Sequence, residues 1–201
     1  MGVPHRSDTV AILTAAGASR RMGTPKALVP WPPGSPDALP LLRFQLQQLA
    51  GFRDVVVVTG AESLEHQVFE APARRVHNPD WASGRSSSLE VGARALPDDA
   101  AWLLIAAIDQ PLVPEVIDAL LAAPGDGPHI PIHAGRRGHP VLLPGRLLGS
   151  LRTVSTWPEG LRSLVRSEDP TLVPVDTPAI HLDLNTPEQL MASSPSGRET
   201  A

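Results

Sequence analysis

A loop of small residues followed by two basic side chains is the first segment of this chain whose residue types could do chemistry. Residues 15–26 have the sequence AAGASRRMGTPK. Small side chains let the backbone approach a ligand closely, and successive backbone N–H groups in such a turn can bind an anion. Arg21 and Lys26 add positive charge, and Lys26 is the only lysine beside sixteen arginines. The segment is typical of polyphosphate binding, but it matches neither the Walker pattern nor GxGxxG. An ordinary glycine-rich loop with solvated cations is the alternative.

A second candidate is Asp109, which directly follows the apolar run 101–108 (AWLLIAAI). A carboxylate just beyond a buried strand lies at the mouth of a crevice. There it could hold Mg²⁺, which favours one or two carboxylates together with phosphate oxygens. The alternative is a turn former before Pro111. A polyphosphate loop on a neighbouring strand favours the metal interpretation.

The third candidate segment is 180–185 (IHLDLN), in which apolar and polar residues alternate. In a strand, His181, Asp183 and Asn185 would share one polar face. That face could complete a metal site opposite Asp109. The alternative is that Asn185 or Thr186 merely caps a helix that begins at Pro187.

Short apolar runs alternate with helical patterns along the chain, and these elements must position the candidate residues. Strands are predicted at 9–14, 54–59, 74–77, 101–108, 129–132, 140–143, 172–175 and 180–184. Helices are predicted at 39–52, 63–69, 86–95, 114–123, 146–151, 160–166 and 188–192. Buried strands alternating with helices indicate an α/β fold with a parallel, doubly wound sheet. The ligand crevice of such a sheet lies beyond the carboxyl ends of its strands, where loop 15–26 and Asp109 follow.

Length and composition narrow the class of protein. The 201 residues suit a single domain over 1–192, followed by a polar, disordered tail at 193–201. A hydrophobic content of 42% excludes wholesale disorder, and a net charge of −4 argues against a protein that coats nucleic acid. The absence of cysteine excludes disulfides and zinc–thiolate sites. With neither a long apolar run nor a secretory signal pattern, we expect a cytoplasmic protein that does not span a membrane.

Five segments resemble, in order, the motifs of the MobA-like nucleotidyltransferases. The first, TAAGASRRMGTPKAL at 14–28, resembles the family's loop LAAGxSxRMGxxK. The other four are 78–89 (NPDW followed by GRSSSL), 108–112 (IDQPL), 135–143 (GRRGHPVLL) and 183–188 (DLNTPE). The resemblance covers about residues 9–192, and within the family the pattern is most similar to the molybdenum cofactor cytidylyltransferases.

The resemblance implies a nucleotide-diphospho-sugar-transferase type of fold, a Rossmann-like three-layer α/β/α sandwich with a mostly parallel sheet. It implies transfer of a nucleotidyl group, preferably CMP, from CTP or GTP to a molybdopterin-type phosphate acceptor, with release of pyrophosphate. Arg21, Lys26 and Asp109 would be catalytic. Asp109 and Asn185 would hold Mg²⁺, with Mn²⁺ as an alternative. The implied nucleotide-binding residues are Ala15, Ala16, Gly17, Ala18, Ser19, Gly84 and Ser88. A molybdoenzyme is an implied partner, and no nucleic acid or membrane is expected.

Departures from the family pattern bear on the metal and the acceptor. Asn185 stands where the family has aspartate, so it would hold a metal with less charge unless Asp183 compensates. The segment 157–162 (WPEGLR) replaces the family's GDxGxR, which leaves the acceptor open. His139 is either a contact to the acceptor phosphate or a buried turn histidine. The alternatives are therefore the same chemistry with GTP or on a sugar phosphate, or a catalytically weak nucleotide-binding partner of molybdoenzymes.

Overall fold

Ten strands and six α-helices build the fold, as seen in a computed structural model that describes residues 4–61, 64 and 72–193. The strands are β1 (Thr9–Ala15), β2 (Pro30–Trp31), β3 (Leu39–Pro40), β4 (Asp54–Thr59), β5 (Ala73–His77), β6 (Trp102–Ala107), β7 (His129–His133), β8 (Arg136–Arg137), β9 (Val141–Pro144) and β10 (Thr171–Pro174). The α-helices are α1 (Leu41–Gln48), α2 (Arg85–Ala95), α3 (Pro114–Ala122), α4 (Leu148–Leu151), α5 (Leu161–Arg166) and α6 (Pro187–Ala192).

The main sheet is mixed and mostly parallel, with the order β10-β7-β9-β6-β1-β4-β5 and with β8 paired to β7. β1 pairs in parallel with both β4 and β6, and β5 and β10 also pair in parallel with their neighbours. β9 is antiparallel to β6 and β7. Only residues 134–140 connect β7 to β9, and a parallel crossover needs about a dozen residues or more. The predicted α/β class is confirmed, with β9 as an antiparallel insertion in the sheet.

Helices cover both faces of the sheet, so the core has two halves. Alternate residues of β1 belong to different halves, because successive side chains of a strand point to opposite faces. Leu13 packs in the half that contains residues of α1 and α3, and Ile12 packs in the half that contains residues of α2, α4 and α5. All seven residues of β1 are buried, as expected for a central strand with helices on both sides. The three-layer architecture follows from this division.

Two predicted elements differ from the structure. The predicted strand at 180–184 is wrong, because Pro178–His181 forms a 3₁₀ helix that the Thr177 side chain caps by accepting the Ala179 N–H. The Leu184 N–H then donates to the Asp109 carbonyl at 2.8 Å instead of joining a ladder. The predicted helix at 39–52 is shorter, since Leu39–Pro40 pairs with Pro30–Trp31 in a separate two-stranded sheet.

Two further predictions fall mainly on residues outside the described part of the chain. These are the helix at 63–69, of which only Leu64 is described, and the tail at 193–201, of which only Ser193 is described. None of the helices within the described ranges is long and apolar enough to cross a bilayer.

Candidate active site

A cleft of about 290 Å³ lies at the carboxyl ends of β1 and β6. Its position agrees with the general rule that parallel α/β sheets bind ligands beyond the carboxyl ends of their strands. The predicted site residues that line it are Ala15, Ala16, Gly17, Ser19, Lys26, Gly84, Ser88 and Asp109. Arg21 is exposed and Ala18 is half-buried, and these two belong to the same loop but lie outside the cleft lining.

The loop after β1 is held in place by backbone and hydroxyl hydrogen bonds. Ser19 adopts a positive φ of 47°, its carbonyl accepts the Met22 N–H at 2.9 Å, and its hydroxyl oxygen accepts the Lys26 N–H at 3.1 Å. On the other side, the Ala16 carbonyl accepts the Ala61 N–H at 3.0 Å. A Cβ on the neighbouring Gly60 would lie 2.7 Å from the Ala16 oxygen. Only glycine at position 60 therefore allows the two segments to approach this closely.

Lys26 lies between the two side chains that were predicted to hold a metal. Its ammonium Nζ donates to Asp109 Oδ2 at 3.2 Å and to Asn185 Oδ1 at 2.8 Å. The Lys26 and Asp109 side chains are 14% and 16% exposed. Water therefore screens this ion pair less than a pair on the open surface. The carboxylate and the amide oxygen converge on one point that already carries a cationic group.

This donor set fits a magnesium-type ion. Mg²⁺ prefers oxygen ligands and commonly takes one or two from the protein, with waters and substrate phosphates completing its shell. Asp109 and Asn185 supply two oxygens beside the loop that lines the cleft. Across the described residues, no group of three or more His, Asp or Glu side chains could form an all-protein cage. Asp109 and Asn185 could therefore hold a divalent cation together with a ligand's own oxygens.

The C-terminal segment is fastened to the end of β6 by side chains that the sequence analysis did not single out. Gln110 Nε2 donates to Asp183 Oδ1 at 2.9 Å, so Asp183 is already engaged. Gln189 Oε1 accepts the backbone N–H groups of Asn185 at 2.8 Å and Thr186 at 3.1 Å. Gln189 is the third residue of α6, and a Thr followed by Gln three positions later is a capping-box signal that could have been found from the sequence.

Of the two residues 185 and 186, Thr186 is the one that caps the helix, and Asn185 remains a candidate metal ligand. Thr186 caps α6 by accepting the Gln189 N–H, and Asn185 turns its side chain to Lys26. The predicted shared face of His181, Asp183 and Asn185 is wrong. His181 Nε2 contacts the Arg136 carbonyl at 3.1 Å, Asp183 accepts from Gln110, and Asn185 accepts from Lys26. The three side chains have separate partners because the segment is not a strand.

The opposite wall of the cleft is built by the turn before α2. Asn78 is buried and donates through Nδ2 to the hydroxyl oxygens of Ser87 and Ser88, each at 3.0 Å. Gly84, with a φ of 112°, precedes α2 and lines the cleft with Ser88 and the half-buried Trp81. The hydroxyl of Ser88, a residue of the cleft lining, is thus held in place by Asn78.

His139 lies near positively and negatively charged side chains of the site, but it does not line the cleft. Burial lowers the pKa of His139, and the positive charges of Arg85 and Arg162 lower it further, against the opposing effect of Asp183 and Asp109. The imidazole is therefore neutral near pH 7. Its backbone N–H donates to the Ile180 carbonyl at 3.1 Å, which joins the loop before β9 to the C-terminal segment.

Two curated relatives resemble the chain along most of its length. The molybdenum cofactor cytidylyltransferase of Escherichia coli (strain K12) is 28% identical over 188 residues, which are 90% of this chain and 93% of that protein. The nicotine blue oxidoreductase of Paenarthrobacter nicotinovorans is 30% identical over 186 residues, which are 84% of this chain and 86% of that protein.

Solved structures share the fold. A homologue of Mycobacterium tuberculosis Rv0371c from Mycobacterium sp. strain JC1 has a TM-score of 0.73 and 24% identity, covering 94% of this chain and 98% of its own. A manganese complex of Rv0371c from M. tuberculosis H37Rv has a TM-score of 0.61 and 22% identity, covering 84% of this chain and 88% of its own.

A family model gives the decisive match. Residues 11–174 match the MobA-like NTP transferase domain, a range that contains the loop after β1, Lys26, Asp109 and both walls of the cleft. This range is well over half of the chain. The chain belongs to the MobA-like NTP transferase family.

Proposed function

We propose that this nucleotidyltransferase transfers CMP from CTP to the phosphate of a molybdopterin-type acceptor and releases pyrophosphate. The observation that carries the proposal is that Lys26 and Asp109 line the same cleft as the small-residue loop, and that Lys26 also contacts Asn185, which lies outside the lining. Cationic and metal-ligating groups beside bare backbone amides suit a triphosphate better than an uncharged ligand. The proposal treats residues 1–192 as one catalytic domain.

The chemistry requires no protein nucleophile. An oxygen of the acceptor phosphate attacks the α-phosphorus, a new P–O bond forms, and the bond to the β-phosphate oxygen breaks as pyrophosphate leaves. The loop 15–19 would bind the triphosphate through its backbone. Arg21 and Lys26 would neutralise the charge that develops on the leaving group. Lys26 is already fixed at the cleft, whereas the exposed Arg21 would have to turn towards the ligand.

Asp109 and Asn185 would hold the divalent cation, for which we propose Mg²⁺ with Mn²⁺ as a substitute. A bound cation would supply charge neutralisation of the phosphates. Their two oxygens support this role, as does the manganese found in a related structure of the same fold. Gly84 and Ser88 would contact the base and ribose from the other wall. The donor hydroxyl of Ser88 would suit a carbonyl oxygen of a base.

The preference for CTP and for a molybdopterin-type acceptor is supported by the E. coli relative, which is named a molybdenum cofactor cytidylyltransferase. The departure at 157–162 keeps a sugar phosphate as the alternative acceptor and GTP as the alternative donor. His139, near Arg85 and Arg162, would face the acceptor phosphate. Delivery of the product to a molybdoenzyme partner would follow from this activity.

A pyrophosphate-release assay tests the proposal directly. The purified protein is combined with Mg²⁺, a molybdopterin-type acceptor and each of CTP, GTP, ATP and UTP. We expect release with CTP, and we expect Lys26→Ala and Asp109→Ala each to lower turnover by about 10²-fold or more. Release with another NTP would overturn the assignment of the base. No release with any NTP, from protein that binds nucleotide, would overturn the acceptor.

The matched control is Arg53→Ala. It removes an ion pair with Asp99, 2.8 Å long, at the amino ends of β4 and β6, far from the cleft. Its turnover should equal that of the wild type. Unchanged turnover in both Lys26→Ala and Asp109→Ala would exclude this cleft as the active site.

A further inference from the structure

A fully buried glutamine on α1, Gln45, is one of the polar residues of the core. Gln45 has no exposed surface, and its neighbours on the same face of the helix, Leu41, Leu42 and Leu49, are buried apolar residues. A buried amide is unfavourable unless its donors and acceptor are paired. If packing were the only requirement at this position, an apolar residue would meet it. The amide is therefore explained by its hydrogen bonds.

All contacts of the Gln45 amide go to one backbone segment. Nε2 donates to the carbonyls of Ala107, at 3.2 Å, and Gln110, at 3.0 Å. Oε1 accepts the N–H of Leu112 at 2.9 Å. Both amide protons and the acceptor oxygen are thus used, and the three bonded residues bracket Asp109.

The bracketed segment has few other ways to satisfy its backbone groups. It leaves the sheet after Ala107 and remains largely buried, and Pro111 has no N–H to donate. The Ile108 N–H donates to the Thr14 carbonyl at 2.9 Å, and the Asp109 carbonyl accepts from Leu184 at 2.8 Å. The Gln110 N–H returns to the Ala107 carbonyl at 3.1 Å, and Gln110 Nε2 joins the segment to Asp183. Gln45 adds the attachment from the helical layer.

We infer that Gln45 is a positioning residue that fixes the backbone on either side of Asp109 and thereby sets the direction of its carboxylate. The inference rests on the proposed function, in which Asp109 holds a divalent cation. Without the three bonds, the segment 107–112 would sample several arrangements, and only some would direct the carboxylate towards Asn185. The affinity for a cation falls in proportion to the populated fraction of the competent arrangement.

The test compares Gln45→Met with Leu49→Ala. Methionine has a similar length and is apolar, so it removes the hydrogen bonds while filling most of the space. Leu49 lies in the same half of the core, at the end of α1 that leads to the amino end of β4, and its truncation weakens the core while leaving the three hydrogen bonds of Gln45 in place. The free energy of unfolding of both variants is measured by urea denaturation, so that affinity can be compared with stability.

Two readouts separate positioning from a general loss of stability. Titration with Mn²⁺ alone should show about tenfold weaker binding to Gln45→Met, as expected if about a tenth of the molecules keep the competent arrangement. Leu49→Ala should bind Mn²⁺ as the wild type does. Hydrogen exchange of the amides of Ile108, Asp109, Gln110 and Leu112 should accelerate in Gln45→Met beyond the change seen in Leu49→Ala. Equal Mn²⁺ affinity in Gln45→Met and wild type, or equal effects of the two variants, would overturn the inference.

A second variant keeps the test informative if Gln45→Met does not fold. Gln45→Glu retains size and can still accept the Leu112 N–H, but even a protonated carboxyl has a single O–H, so at least one of the bonds to the carbonyls of Ala107 and Gln110 is lost. The same weaker Mn²⁺ binding and faster exchange are expected. Hydrogen exchange does not depend on catalysis, so it distinguishes the two proposals. A wild type without nucleotidyl transfer would contradict the proposed function, and unchanged exchange would contradict the role of Gln45.

Discussion

Replacing Lys26 with methionine tests the site quantitatively, because its ammonium and a divalent cation would need the same two oxygens. Lys26 Nζ lies 3.2 Å from Asp109 Oδ2 and 2.8 Å from Asn185 Oδ1. Methionine keeps an apolar stem and removes the charge. We therefore expect Lys26→Met to bind a divalent cation more tightly in the absence of nucleotide, although it loses activity in the full reaction.

The size of this effect follows from the geometry. Two unit charges separated by 3.2 Å attract by about 1.3 kcal/mol in water and by about 5 kcal/mol at an effective dielectric constant of about 20. Desolvation and the lost freedom of the lysine side chain offset much of this attraction. If the remaining net attraction that a cation must overcome is about 1.4 kcal/mol, the dissociation constant of the cation changes about tenfold. Lys26→Met should therefore bind Mn²⁺ about tenfold more tightly.

The assay is a titration of nucleotide-free protein with Mn²⁺, in which the free ion is followed by its electron paramagnetic resonance signal. Arg53→Met is the control, since it removes an ion pair with Asp99 far from the cleft and should leave Mn²⁺ affinity unchanged. Pyrophosphate release by Lys26→Met should fall by about 10²-fold or more. Unchanged or weaker Mn²⁺ binding by Lys26→Met would refute the idea that lysine and metal share these oxygens.

Three further predictions concern other parts of the site. Asn185→Asp should keep or raise activity at limiting Mg²⁺, because a carboxylate adds charge to the donor set; a loss, measured as turnover against Mg²⁺ concentration, would mean that position 185 does not face the metal. Gly60→Ala should destabilise the protein by about 1–3 kcal/mol in urea denaturation and weaken CTP binding, since its Cβ would lie 2.7 Å from the Ala16 oxygen; wild-type values for both would contradict the close approach. Burial lowers the pKa of His139 below that of the unfolded chain, near 6.5, so the unfolded state binds more protons just below that pH. The free energy of unfolding should therefore fall as the pH drops from about 7 through 6.5 towards the lowered pKa, and its slope against pH should be smaller in His139→Gln. Equal slopes of the free energy of unfolding against pH in the two proteins would contradict this reasoning.

The elements around the cleft could be predicted because their signals are local. The apolar runs that became β1, β4 and β6 are buried on both faces, so continuous hydrophobicity identifies them. The prediction of a strand at 180–184 was wrong because its local signal is not specific to strands. Alternation of apolar and polar residues also arises in a short 3₁₀ helix followed by extended chain, and Pro178 with Thr177 begins such a turn. The orientation of β9 depended on the seven-residue connection at 134–140, which is too short for a parallel crossover.

For the polar side chains, too, some properties could be predicted from the sequence and others could not. The charges of Lys26 and Asp109 and their places after predicted strands could be recognised from the sequence. The direction of each side chain could not, as Asp183 and Asn185 illustrate. They are two residues apart, yet Asp183 accepts from Gln110 and Asn185 accepts from Lys26. Gln45 left no signal at all, because its helix has an ordinary apolar pattern and its partners lie more than sixty residues away.

The sequence by itself determined the α/β class, the order of most strands and helices along the chain, and the loop and carboxylate that follow two of the strands. These properties depend on residue type and on periods of two or 3.6 residues, which are written in short segments. Only the tertiary structure decided that Lys26 and Asn185, 159 positions apart, meet beside Asp109, and that Gln45 holds the segment on either side of it. Contacts of this kind depend on how the layers pack against each other, and packing has no period along the chain.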